Sequence, residues 1–186
     1  MKPLRRSFAV LVALAVSLWA AAPVSAAEPP IEVKLDVSRL KFGAQDDNSN
    51  QGYTITTENW GYSIALTSKT MRPGTGIRVE YQLYVRQAKL GQTPSSQPLK
   101  NRAGAKAIAK LDAGAKADFK TDSVVARQVK LLPGYVWKET GKSEDVTDKL
   151  EGIWVRVFQG NTMIAEYASS ESFKKAGWPK PDKPGK

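Results

Sequence analysis

Along most of this chain apolar and polar residues alternate with a period of two, the pattern of half-buried β-strands. "IEVKLDV" (31–37) sets Ile31, Val33, Leu35 and Val37 against Glu32, Lys34 and Asp36. "IRVEYQLYVR" (77–86) sets Ile77, Val79, Tyr81, Leu83 and Val85 against Arg78, Glu80, Gln82, Tyr84 and Arg86. "YTITTENWGYSIALTS" (53–68) reads as one strand or two short ones, with a bulge expected at Gly61. "SVVARQVKLL" (123–132) is a further strand. "AKAIAKLDAGAKADFKT" (105–121) mixes helix-favouring Ala and Lys with Gly114, and among these neighbours it reads as strand. Residues 41–52, 71–76, 87–105 and 133–151 read as polar loops or turns, the last with room for one helical turn. "SSESFKKAGW" (169–178) predicts a turn of helix capped by Ser169 or Ser170 and stopped at Gly177.

The most legible stretch is "GIWVRVFQGNTMIAEYAS" (152–169), two extended runs around Gly160-Asn161. A Gly-first two-residue loop suits a type II′ turn. Closing it pairs Gln159 with Thr162, and an unbroken register then sets Phe158 opposite Met163, Val155 opposite Glu166 and Trp154 opposite Tyr167. One face carries Ile153, Val155, Val157, Ile164 and Ala168, with Glu166 oddly among them; the other carries Trp154, Arg156, Phe158, Met163 and Tyr167. Tyr84 joins the aromatic face if this hairpin pairs with 77–86. Such a face is either core or an exposed site for a glycan or a partner protein, and cross-strand aromatic pairs favour core.

Several short strands with turns between them and no sustained helix predict an all-β, antiparallel two-sheet sandwich. "YSIALTSKTMRPGTGIRVEYQLYVR" resembles the B strand, turn and C strand of exported bacterial immunoglobulin-like or fibronectin-like domains. "GIWVRVFQGNTMIAEYAS" resembles their final F–G hairpin. The resemblance spans roughly 31–169 and lacks the Cys pair of antibody domains. It implies immunoglobulin-like topology and a role in adhesion, scaffolding or binding, without naming a ligand.

Residues 1–26 carry a different pattern: basic Lys2, Arg5 and Arg6, a short apolar run, and a small-x-small site ending at Ala26. This is the layout of a cleavable bacterial signal peptide, which places the mature chain in the periplasm or outside. The expected organisation is a leader (1–26), a β-sandwich domain (27–175) and a disordered Pro/Lys-rich tail (176–186). No later apolar run reaches membrane-spanning length. The formal charge of +10 falls to +7 without Lys2, Arg5 and Arg6. The segment 172–186 holds +4 of that, so 27–171 carries only +3. Export and this modest charge argue against a nucleic-acid partner.

Missing residue types narrow the chemistry. The chain has no His and no Cys, which removes His-based triads, imidazole bases, thiol nucleophiles and thiolate metal sites. Ser38/Lys41 and Ser172/Lys175 match S-x-x-K by chance, without its companion motifs. Glu80 and Glu166 are the carboxylates that a small hydrolase would need. "DNSNQGYTITTE" (47–58) fits a calcium loop loosely, leaving Asp46 and Asp47 as weak metal candidates. No cofactor is expected. The composite expectation is a non-catalytic envelope module that binds another exported protein. A carbohydrate-binding module is its first rival, a carboxylate hydrolase its second.

Overall fold

The computed structural model describes residues 29–47, 52–89, 97–138 and 140–179. The expected leader and residues 180–186 of the expected tail lie outside the described residues. The chain folds into two antiparallel sheets packed face to face. One contains β1 (Val33–Asp47), β2 (Tyr53–Ser68), β5 (Lys116–Lys120), β6 (Val124–Leu131) and the two-residue β7 (Val146–Thr147). The other has the order β4 (Leu99–Leu111), β3 (Gly74–Arg86), β8 (Lys149–Gln159), β9 (Thr162–Ala168).

The first sheet is built around β2. β1 runs along one of its edges, while β5 and β6 lie end to end along the other. Thr121 fills the break between them, exchanging backbone hydrogen bonds with Tyr62 through its N–H and its side-chain oxygen, each 2.9 Å. The segment 105–121 is strand, as its neighbours suggested, but it divides at a turn where Gly114 takes φ +66° and passes from one sheet to the other. β2 is continuous, and the bulge expected at Gly61 lies instead on its partner, at Phe42 of β1. β1 also runs on through residues read as loop, because its ladder with β2 continues to Asp47–Ile55. Likewise 99–105 is strand, since β4 pairs with β3 from Leu99 onward.

Between the sheets, Ile64 and Leu66 of β2 meet Ile77, Val79 and Leu83 of β3 and Ile153, Val155 and Val157 of β8, all essentially free of water. Burying each such side chain contributes roughly 1.5–3 kcal/mol. Those of β3 and β8 are alternating positions read from the sequence. A second cluster forms where Trp137, from the 133–145 loop, packs with Val129, Val146 and Ala88. Its indole N–H is satisfied by the Glu144 carbonyl at 2.7 Å.

The chain ends in α1 (Glu171–Ala176), capped at Ser170, whose side chain accepts from the Ser172 N–H, and closed at Gly177. Asp or Ser caps of this kind satisfy a donor that the first helical turn leaves free. α1 lies on the outer face of the second sheet. Among the described residues no helix is long and apolar enough to cross a membrane.

Candidate functional site

β8 and β9 join through Gly160, which takes φ +57° while Asn161 does not, as a type II′ turn requires. Gln159 pairs with Thr162 and Phe158 with Met163, as the turn dictates. The register then slips, because Ile164 is an extra residue on β9: Val157 pairs with Ala165, Arg156 with Glu166, Val155 with Tyr167 and Trp154 with Ala168. The unbroken register expected from the sequence is therefore corrected beyond Met163. The slip has a physical reason. Without it Glu166 would face the core beside Val155, and an unpaired buried carboxylate is far costlier than one irregular ladder step.

The bulge divides the residues proposed for the hairpin's aromatic face. Tyr167 turns inward and packs with Ile164 against the core between the sheets. Met163 lies near the turn and is half exposed. Trp154, Arg156, Phe158 and Tyr84 do share the outer face, since β3 and β8 are neighbours and Tyr84 lies opposite Gly152. This face is covered, so of the two readings left open, core or exposed site, its buried rings fit the first, toward which the cross-strand aromatic pairs lean. Trp154 is 5% exposed, and Tyr84 and Phe158 are likewise buried. Phe173 of α1 stacks on Tyr84 with ring centroids 4.0 Å apart, and Trp178 meets Trp154 edge-on at 4.9 Å. Trp178, assigned by sequence to the disordered tail, thus belongs to the body. The Arg156 guanidinium lies over the Phe158 ring at 4.9 Å and the Trp178 ring at 4.5 Å. Beneath this cover the Tyr84 hydroxyl and Arg156 Nε have no hydrogen-bond partner among the described residues, and burial raises the Tyr84 phenol above its ordinary value.

The candidate carboxylates hold structure. Glu166 accepts from the Trp154 indole N–H at 2.9 Å and lies 3.8 Å from the Lys174 ammonium. Glu80 pairs with Arg78 at 3.0 Å. Asp46 is exposed on β1 opposite Thr56, and the Asp47 side chain lies outside the described ones. Glu58, the last position of the loose calcium pattern, bonds the Lys41 ammonium and the Trp60 indole N–H, which hold its carboxyl below the usual range. No group of three or more acidic side chains that could hold a metal occurs among the described residues.

A second feature has no local sequence signature. A cleft of about 540 Å³ opens between the end of β3, the start of β4 and β6, and continues into a neighbouring cleft of about 360 Å³. Val125, 53% exposed, and Val124 line it on the β6 side, and Gln87 and Lys100 are shared by its two parts. Lys89, Lys100, Arg102 and Arg127 line it, and none has a carboxylate within ion-pair distance among the described residues. Lys100 bonds the Gln87 side chain at 2.6 Å, and Arg102 donates to the Ser123 carbonyl at 3.1 Å, tying β4 to the β5–β6 break. Asp148, the one carboxylate of the lining, accepts from the backbone N–H groups of Ala88 and Arg127 at 2.8 and 3.1 Å. These residues come from four segments, which only the pairing of strands across two sheets assembles.

No family model matches the chain, and no curated protein matches it. Among solved structures, one from Bordetella pertussis, assigned provisionally to an ApaA protein, is similar over 75% of this chain and 95% of its own. Their sequences are 10% identical and the TM-score is 0.31, so the likeness carries no argument about fold or function.

Proposed function

We propose that this protein is a non-catalytic module exported to the bacterial cell envelope, where it binds another exported protein. Export rests on the leader pattern of 1–26. The binding role rests on one observation: cations without carboxylate partners line an open cleft on the side of the sandwich where β4 and β6 approach each other. Among the described residues other cations also lack an acidic partner, Lys106, Lys120 and Lys130 among them, but in the cleft four such cations line one concave surface. Cations left unpaired around a concave surface raise local potential and steer an acidic partner. The strand orders β1-β2-β5/β6 and β4-β3-β8-β9 support reading the sandwich as immunoglobulin-like or fibronectin-like, a scaffold that often carries binding surfaces. A glycan module using the hairpin's aromatic rings is disfavoured, because α1 and Trp178 already occupy them.

The test is made in the producing cell. Fractionation and N-terminal sequencing should find the mature chain in the envelope, starting at Ala27. A photo-crosslinking residue scanned over exposed positions should give a discrete adduct with an envelope protein. A chain retained in the cytoplasm with its leader intact, or no adduct from any position, would overturn the proposal.

A further inference from the structure

We propose that the cleft between β4 and β6 docks an extended acidic segment of a partner protein, an inference that rests on the binding role above and names the chemistry of its ligand. Three features of the cleft point to this class. Its charge is one-sided: Lys89, Lys100, Arg102 and Arg127 face a single carboxylate, Asp148, whose two oxygens are engaged by backbone N–H groups. Its lining also has an apolar part, with Val85, Val124, Val125, Ala88 and Pro98 contributing. None of the lining residues is aromatic, so a sugar ring has no stacking platform.

The backbone supplies a further feature. β4 ends its sheet and has β3 on one side alone. β6 pairs with β2 on one side, and on the other only with β7, at Gln128 and Val129. Val124 and Val125 therefore line the cleft with no strand partner on their outer side among the described residues, between the Ser123 carbonyl held by Arg102 and the Arg127 backbone held by Asp148. An extended peptide suits such an edge, because its backbone can pair with the strand while alternate side chains reach opposite ways. Lysines on an edge strand ordinarily guard against edge-to-edge aggregation. Lys106 and Lys110 of β4 fit that role, but the cleft adds exposed valine, which guarding does not require. A segment alternating carboxylates with small apolar residues matches both halves of the lining.

The test uses the full mature chain and a labelled peptide of alternating Glu and Val, with its Lys-Val counterpart and heparin as comparison probes. The Glu-Val peptide should bind with an affinity that falls as salt rises, and the Lys-Val peptide should not bind. The double variant Lys100→Glu/Arg127→Glu should weaken binding by about tenfold or more, the scale of losing paired interfacial charges. A Lys34→Glu/Lys175→Glu protein, equal in net charge but altered away from the cleft, should bind like the parent. Val125→Ser should weaken the peptide and leave heparin unaffected. Absent peptide binding, or equal weakening in both double variants, would overturn the docking site. Heparin competing at the same residues with no effect of Val125→Ser would make the cleft a general polyanion site and overturn the peptide assignment. Crosslinking to an envelope partner through another face would defeat this site while leaving the proposed function standing.

Discussion

Trp154 donates its indole N–H to Glu166 Oε1 at 2.9 Å, joining β8 to β9 on the outer face of the second sheet. The bond exists because the bulge at Ile164 turns Glu166 outward, and it lies beneath Trp178. With Trp60, Trp137 and Trp178 replaced by Phe in the mature protein, Trp154 is the only indole left. Its emission should be blue-shifted and resist acrylamide quenching. Removing residues 171–179 should shift the emission to the red and open the ring to quencher. Strong quenching in the chain that retains 171–179 would contradict the covered face.

Gly152 permits this cover. A Cβ there would collide with Ser169 Oγ and approach the Phe173 ring to 2.7 Å. Ser169 in turn receives the Ile153 N–H on its side chain and donates its own N–H to the Ile153 carbonyl, each at 2.9 Å. Gly152→Val should therefore cost about 1–3 kcal/mol, the usual range for overpacking. Phe173→Ala, which deletes the stacked ring, should cost about 3 kcal/mol. Denaturant unfolding checks both, and Trp154 emission should move to the red in each variant while the core between the sheets stays intact.

Much of the fold was readable because its signals are local. The alternation of 77–86, the Gly160-Asn161 turn and the cap and stop of α1 each depend on residues close in sequence. The sandwich followed from them. The bulge at Ile164 was not readable from turn chemistry alone. Yet Glu166 among the aliphatic residues was its trace, since a carboxylate facing the core signals a slipped register. The cover over Trp154 depends on Phe173 and Trp178 folding back onto β3 and β8, a contact with no periodic signature. The cleft was invisible for a stronger reason: Lys89, Lys100, Arg102 and Arg127 meet only after the chain has crossed between sheets.

Deleting Ile164 tests the account of the bulge. Without that residue Val157 still pairs with Ala165 and Arg156 with Glu166, now in an unbroken ladder, so Glu166 keeps its outward side and its bonds to Trp154 and Lys174. The deletion should cost no more than the burial of one aliphatic side chain, about 1.5–3 kcal/mol. Glu166→Leu should destabilise the parent and the deletion protein alike, because both lose the same bonds. Chemical denaturation of the four proteins checks this, and strong coupling between the two changes would mean that the deletion moves Glu166 off the outer face.

Tyr84 supplies the last prediction. Its hydroxyl is buried beside Phe173 with no hydrogen-bond partner among the described residues, a situation that costs about 1–3 kcal/mol. Tyr84→Phe keeps the stacked ring and removes the orphan, so the variant should be more stable, by about 1 kcal/mol on the same reasoning. Burial raises the phenol above its ordinary 10.0 by penalising the phenolate, and it acts likewise on Tyr62 and Tyr81. A raised folded value means that the unfolded chain loses its proton first. Stability should therefore hold below pH 10.0 and fall as pH rises from there through the folded values. Tyr84→Phe should lose less stability over that rise than the parent. Unfolding followed beside phenolate absorbance tests both claims, and a destabilised variant with an unchanged alkaline profile would show that the hydroxyl has a partner.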